Sequence, residues 1–209
     1  MRLIILLILI TLSACGQQSK YSIDPRAKKL NDSAVNIVMR TNNYDKAIEL
    51  LDEAIKIDSN YPTAFANKVS FQLQLKQFDK ALVTSKNLLR IKPNASDYIV
   101  MTGMINEQLG DTVSSKKYFT QAAKIYDDIL DTMETTNKNY DMYLINKAVN
   151  LIFLGQQQTG NDILKKVYSN TKDEVEKEFI SEFMNKSKQQ ILSEILQGSQ
   201  HSAQTQQSN

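Results

Sequence analysis

The residues of this 209-residue chain that could carry chemistry are one Cys, one His and a few acidic clusters. Zinc sites draw several Cys and His ligands at fixed spacing, whereas Cys15 and His201 stand at opposite ends of the chain. A hydroxyl nucleophile needs a neighbouring base to activate it. The single His lies in a terminal run of Ser, Gln and Asn, and no Ser sits in a nucleophile-elbow pattern. The 6 Gly are scattered as turns, tight contacts and the tail boundary, so no phosphate-cradling loop is present. Asp127-Asp128 with Asp131, and the run from Asp173 to Glu178, do offer paired carboxylates. Such pairs act as acid and base only where an apolar wall raises one pKa, and nothing in the pattern indicates a cleft. They read as solvated helix faces or as first-turn charges that favour the helix dipole. The chain is therefore expected to be no enzyme, with no cofactor and no metal.

The elements behind these residues are helical. Only 3 Pro, no Trp and few β-branched runs point to an all-α chain. From about Lys28 the sequence repeats at 34 residues. Tyr44, Phe78 and Thr112 form one column, and Ala47, Ala81 and Ser115 a second. Ala54, Leu88 and Ala122 form a third, and Ile57, Ile91 and Ile125 a fourth. Small residues in the second column let helices approach closely, and larger apolar residues three and four places on fill the seam. Asn43-Tyr44-Asp45-Lys46-Ala47-Ile48 and Gln77-Phe78-Asp79-Lys80-Ala81-Leu82 are near copies, each opening the second helix of a repeat. Pro62 suits the first position of a helix, Pro93 follows the second helix of repeat two, and Gly110-Asp111 marks a turn. Gly103 and Gly160 fall at small positions. Asn146-Lys147-Ala148 echoes Asn67-Lys68-Val69, with an offset 11 residues longer than two periods. The extra residues are expected to lengthen the second helix of repeat three, where Tyr126, Ile129, Leu130 and Met133 keep helical spacing.

This pattern resembles the tetratricopeptide repeat, whose helix pairs bury their apolar faces only by stacking. Other helix-pair solenoids share the periodicity. Asn31 and Ser33 are polar departures on the first helix, and Thr112 replaces an aromatic residue. The resemblance implies an α-α superhelix, a right-handed solenoid. Thr171 to Glu174 has the spacing of a capping box. Val175, Phe179, Ile180, Phe183, Ile191, Leu192 and Ile195 then predict one capping helix of about 25 residues closing the array. Family members hold peptides or partner helices on the face lined by first helices. Carried over, that face comprises Asp32 and Asn36, then Ala66, Asn67 and Ser70, then Val100 and Met104, and finally Ile145, Asn146 and Val149. Chaperone-binding members place cations in repeat three, where this chain has Val100 and Met104, so no carboxylate clamp is expected. Met104, Ile145 and Val149 either line an open groove or pack against the extended helix and cap.

The N-terminal segment supplies an address. Arg2 precedes an apolar run from Leu3 to Leu12, the arrangement of a secretory signal peptide; a spanning helix needs about 20 apolar residues. Leu12-Ser13-Ala14-Cys15 resembles the lipobox of bacterial lipoproteins, which implies cleavage before Cys15 and acylation of its thiol. Gly16 and Gln17, rather than Asp, after the Cys resemble the outer-membrane members of enteric-type lipoproteins. Lys+Arg (25) and Asp+Glu (23) nearly balance, which argues against nucleic-acid binding through a basic field.

The expected organisation is a signal peptide over 1–14, a lipid-anchored tether over 15–24, a repeat domain with its cap over 25–197, and a disordered polar tail over 198–209. The expected function is a membrane-anchored adaptor of the cell envelope that binds proteins or peptides, as in outer-membrane, pilus or secretion complex assembly. The alternative is a periplasmic accessory subunit that regulates an envelope enzyme such as a cell-wall hydrolase. Replacing the thiol tests the address directly. Cys15→Ser is expected to abolish labelling by an alkyne fatty acid and to leave an unprocessed precursor; undiminished labelling would overturn it.

Overall fold

A computed structural model describes residues 21–197; Cys15, most of the tether and the tail with His201 lie outside them. Among the described residues there are ten helices and no strand. They are α1 (Pro25–Thr41), α2 (Tyr44–Ile57), α3 (Pro62–Gln74), α4 (Phe78–Ile91), α5 (Ser96–Gln108), α6 (Thr112–Thr132), α7 (Tyr140–Phe153), α8 (Gln157–Asn170), α9 (Glu174–Ser181) and α10 (Lys188–Gln197). They fall into two compact units, residues 21–98 with 196–197, and residues 99–195.

In the first unit each helix packs on its successor from α1 to α4, and α1 also meets α3. The start of α1 is set locally: the Asp24 side chain accepts from the Arg26 N–H at 2.8 Å, and Pro25 occupies the first turn. Its end is equally local, because Asn42 takes a left-handed φ of 51° and returns its N–H to the Val38 carbonyl. Asn43 then caps α2 by accepting from Lys46 N–H at 3.0 Å. Ala27, Ala34 and Val38 of α1 and Ala47, Leu51 and Ala54 of α2 share one apolar cluster with Tyr61, Ala64 and Phe71. α3 is buried nearly all round, as expected of a helix with neighbours on several sides.

The second unit contains most of α5 and runs through α6–α9 to α10. Asp111 caps α6 by accepting from Ser114 N–H at 2.9 Å, after Gly110 has turned the chain with φ 83°. α6 has 21 residues where α2 and α4 have 14. The insertion thus adds two helical turns, and the loop before α7 takes the remainder. Met133 lies just beyond the helix, in extended backbone.

Two of the columns seen in the sequence are core positions. Ala47, Ala81 and Ser115 are buried, as are Ala54, Leu88 and Ala122. The fourth column is not: Ile57 is 39% exposed, and Ile91 and Ile125 are half-buried.

The single capping helix is corrected to two short ones. Asp173, not Thr171, caps α9, accepting from Val175 and Glu176 N–H groups. The helix stops after Ser181, and Asn185 takes a φ of 63° that no helix continues through. Ser187 and Gln190 then restart the chain with a reciprocal box: the Gln190 side chain accepts from Ser187 N–H at 2.8 Å, and Ser187 Oγ accepts from Gln190 N–H at 3.3 Å. Val175, 78% exposed, drops out of the apolar stripe.

Two glycines report how closely helices approach. A Cβ on Gly103 would lie 2.7 Å from the Phe119 ring, and one on Gly160 would lie 2.6 Å from the Ala148 carbonyl oxygen and 2.7 Å from Ile152 Cγ1. Backbone cannot yield as a side-chain tip can. Gly160→Ala gains about 1 kcal/mol of helix propensity, yet it should destabilise the protein overall, since overpacking costs about 1–3 kcal/mol. Thermal unfolding checks this; a raised melting temperature would contradict the α7–α8 approach.

Candidate functional site

The face carried over from the repeat pattern divides between the two units. In the first unit, α1 presents Pro25, Lys28, Lys29, Asp32, Ser33 and Asn36 along one stripe, lining a shallow depression of about 360 Å³. Lys28 and Asp32 are an exposed i,i+4 ion pair at 2.6 Å. The Lys28 hydrogen bond is the main cause that holds the Asp32 carboxyl below its ordinary pKa. Asn36 is exposed one turn further on.

On α3 the picture changes. Ala66 and Asn67 are buried, and Ser70 is half-buried with its hydroxyl donating to the Ala66 carbonyl at 3.1 Å. Asn67 donates its amide to Asn31 Oδ1 at 2.8 Å, both side chains being buried. So Asn67, expected on an open peptide-binding face, is engaged inside the unit. Asn31, which looked like a departure from the pattern, is its partner. A buried amide pair of this kind ties α1 to α3, because leaving either group unpaired carries its full desolvation cost.

The equivalence of the Asn-Lys echo holds in three dimensions. Lys68 pairs with Asp52 on the preceding helix α2, and Lys147 pairs with Asp127 on the preceding helix α6 at 2.6 Å. One member of the acidic cluster Asp127-Asp128-Asp131 is thereby neutralised. In the other acidic run Glu174 pairs with Lys177 at 2.8 Å within α9.

In the second unit Ile145 is fully buried and Met104 nearly so, while Val100, Asn146 and Val149 are half-buried. Ile145 therefore belongs to the core and lines no open groove. Glu107, on the same side of α5 as Val100 and Met104, was not singled out in the sequence. Its carboxylate accepts from Lys188 of α10 at 2.7 Å and from the Ser115 hydroxyl of α6. Burial pushes the Glu107 carboxyl up, but the Lys188 ammonium and Ser115 hydroxyl outweigh it and hold the pKa below the ordinary value. The Lys188 ammonium also lies 5.7 Å from the centre of the Phe119 ring, within cation–π range. Phe119 itself stacks on Phe153, with centroids 5.0 Å apart. Around these groups the loop before α10 is held by Gln157 Nε2 donating to the Lys186 carbonyl at 2.7 Å. The Asn185 N–H donates to Asn161 Oδ1 at 3.2 Å.

A second buried contact anchors the start of the first unit. Asp58, between α2 and α3, accepts from the Tyr21 hydroxyl, from Asp24 N–H at 3.0 Å and from Asn60 N–H at 3.1 Å. Residues 21–24, read as tether, are thus tied to the repeat. Among the described residues no group of three His, Cys, Asp or Glu is placed to hold a metal ion. No helix among them is long and apolar enough to cross a membrane.

With this geometry in view, the comparisons are consistent. The tetratricopeptide repeat profile matches residues 39–99. Anaphase-promoting complex subunit 3 of Schizosaccharomyces pombe is 26% identical over 125 residues, which are 60% of this chain and 19% of that protein. The chain thus spans about a fifth of the length of this curated relative. The crystal structure of PilW, a widely conserved type IV pilus biogenesis factor, superposes with a TM-score of 0.51 at 21% identity, over 70% of this chain and 62% of that one. The MamA RS-1 ArsTM double mutant superposes with a TM-score of 0.50 at 12% identity, over 83% and 96% respectively. The profile match supports tetratricopeptide repeats in this chain. Its fold is all-α and tetratricopeptide-like.

The buried amide pair gives a direct check. Asn31→Leu, which orphans Asn67, is expected to lower stability by about 1–3 kcal/mol. The Asn31→Leu, Asn67→Leu double variant should recover part of that loss in denaturant titrations. A double variant less stable than the sum of the two singles would contradict the pairing.

Proposed function

We propose that this chain is a lipid-anchored adaptor of the bacterial cell envelope, held at a membrane through Cys15, that binds a partner protein or peptide on its repeat surface. The outer membrane is its proposed site. The observation that carries the reading is the combination of a tetratricopeptide-like fold with a lipobox-like Leu12-Ser13-Ala14-Cys15. Acyl chains add membrane affinity with each buried methylene, so several together give stable attachment where one is marginal. Likeness of fold to a type IV pilus biogenesis factor supports an assembly role in the envelope. The surface available for a partner in the first unit is polar, with Asp32, Ser33 and Asn36 on α1 and the edge of Ser70 on α3. No cofactor is invoked.

Photocrosslinking in cells tests the reading. Probes at Asn36 and Ser70 of the full-length protein should capture one defined envelope protein. A probe at Val83, an exposed position on α4, should not, and the adducts should vanish in Cys15→Ser. Equal capture at all three positions, or capture unaffected by Cys15→Ser, would overturn it.

A further inference from the structure

The first unit has two unlike ends. Its helices α1 to α4 are joined by loops of two to four residues, so neighbours run antiparallel. The start of α1, the end of α2, the start of α3 and the end of α4 therefore share one end. There Asp58 ties Tyr21 and Asp24 to the α2–α3 loop. Five large apolar side chains are exposed in this unit, and three of them, Tyr21, Ile23 and Ile57, stand at that end. Met39 stands near the opposite end of α1, and Val83 partway along α4. Single exposed apolar residues are ordinary, whereas a cluster calls for an occupant. Tyr21 is 44% exposed with its hydroxyl engaged by Asp58, so what it offers to solvent is ring. The same end is rich in cations. Lys56 in the last turn of α2, Arg90 in the last turn of α4 and Lys92 just after it are exposed. Of the acids there, Asp24 pairs with Arg26 at 2.7 Å, Asp58 is buried among three donors, and Asp97 of α5 is half-buried. Exposed cations beside Tyr and Ile side chains suit a membrane interface, where phosphates accept from ammonium groups and aromatic rings settle at headgroup level.

We propose that this end of the first unit lies against the headgroup layer of an anionic phospholipid membrane. Ile23 and Ile57 enter that layer, and Lys56 and Lys92 meet lipid phosphates. The proposal rests on the lipid anchor at Cys15 read above and adds the orientation in which the first unit is held. Chain length argues for this occupant. Six residues lead from Cys15 to Tyr21, and six residues span at most about 20 Å. A bilayer within that reach is present at high effective concentration, so contacts too weak to hold a free protein suffice for an anchored one. Each Lys or Arg near an anionic surface strengthens attachment about fivefold. The α1–α2 turn at Asn42 is then the part of that helix pair farthest from the bilayer.

The test uses the full-length protein, purified with its lipid and reconstituted in vesicles of phosphatidylglycerol and phosphatidylethanolamine. Acylation takes up Cys15, so a fluorophore can be placed through Ser59→Cys at this end or through Met39→Cys, about 20 Å from the start of α1. A nitroxide carried on lipid headgroups should quench the label at position 59 about threefold or more over the label at position 39. Lys56→Glu with Lys92→Glu, or Ile23→Ser with Ile57→Ser, should largely remove that difference. Neutral phosphatidylcholine vesicles should do the same. Circular dichroism checks that each variant is folded; should one pair of substitutions unfold the chain, the other carries the comparison. Equal quenching at the two positions in anionic vesicles would overturn the proposal. A difference that survives both the substitutions and the change of lipid charge marks a passive tether and overturns it too. The readings can fail separately. Cys15 without lipid overturns the anchor and this face together, whereas lipid with equal quenching overturns the face alone. Quenching as expected without a client crosslinked at Asn36 or Ser70 supports the face and overturns the adaptor reading.

Discussion

Close approach between neighbouring helices is the constraint on which the rest of this structure depends. A helix pair of this size cannot bury its own apolar face, and stacking another pair on it succeeds only if the backbones come near. Ala47, Ala81 and Ser115 supply that nearness from one column, while Gly103 and Gly160 supply it where even a methyl group would collide. Once the backbones are close, a few polar ties select the register. The Asn31–Asn67 amide pair joins α1 to α3. Lys68–Asp52 and Lys147–Asp127 repeat one connection in both units. Exposed ion pairs of this type add little energy individually, but their recurrence at equivalent positions marks the two helices as counterparts despite the insertion between them.

The parts of the fold that could be read from the sequence are those decided by neighbours in the chain. Helix starts at Asp24, Asn43 and Asp111, the turn glycines and Pro62 all act within four residues, and each is where its residue type predicts. The terminal segment shows how periodicity can mislead. Apolar residues from Phe179 to Ile195 keep helical spacing straight across the break at Asn185. The competing signal, Ser187 with Gln190, was present but local, and a long stripe outweighs it in any window-based reading. Positions on the candidate surface were harder still. Asn31 looked like a defect because its partner lies 36 residues away. Glu107 and Lys188 carry no mutual signal along the chain, and only folding brings them together. Ile145 occupied a groove position in the pattern yet is fully buried, because a residue's side of the helix does not reveal what lies on top of it.

A surface that is already engaged has different properties from an empty one. Buried amides on α3 and the pairing of Glu107 with Lys188 mean that a partner at either place competes with contacts the protein already makes. Affinity then reflects a difference between two occupied states, and specificity follows from which partner reproduces the lost contacts better. The acid–base pair at Glu107 is half-shielded from solvent, so its attraction is stronger than a surface pair's while remaining reachable.

Asp58 has a mechanical consequence. Its carboxylate gathers Tyr21, the Asp24 N–H and the Asn60 N–H at one point between α2 and α3. Tension on the N-terminal segment therefore reaches the fold at that loop, loading several hydrogen bonds together instead of peeling α1 away one turn at a time. Between Cys15 and this cleat the chain can extend only about 20 Å, at roughly 3.3–3.6 Å per residue. An attachment at Cys15, as proposed above, would hold the first repeat on a short leash.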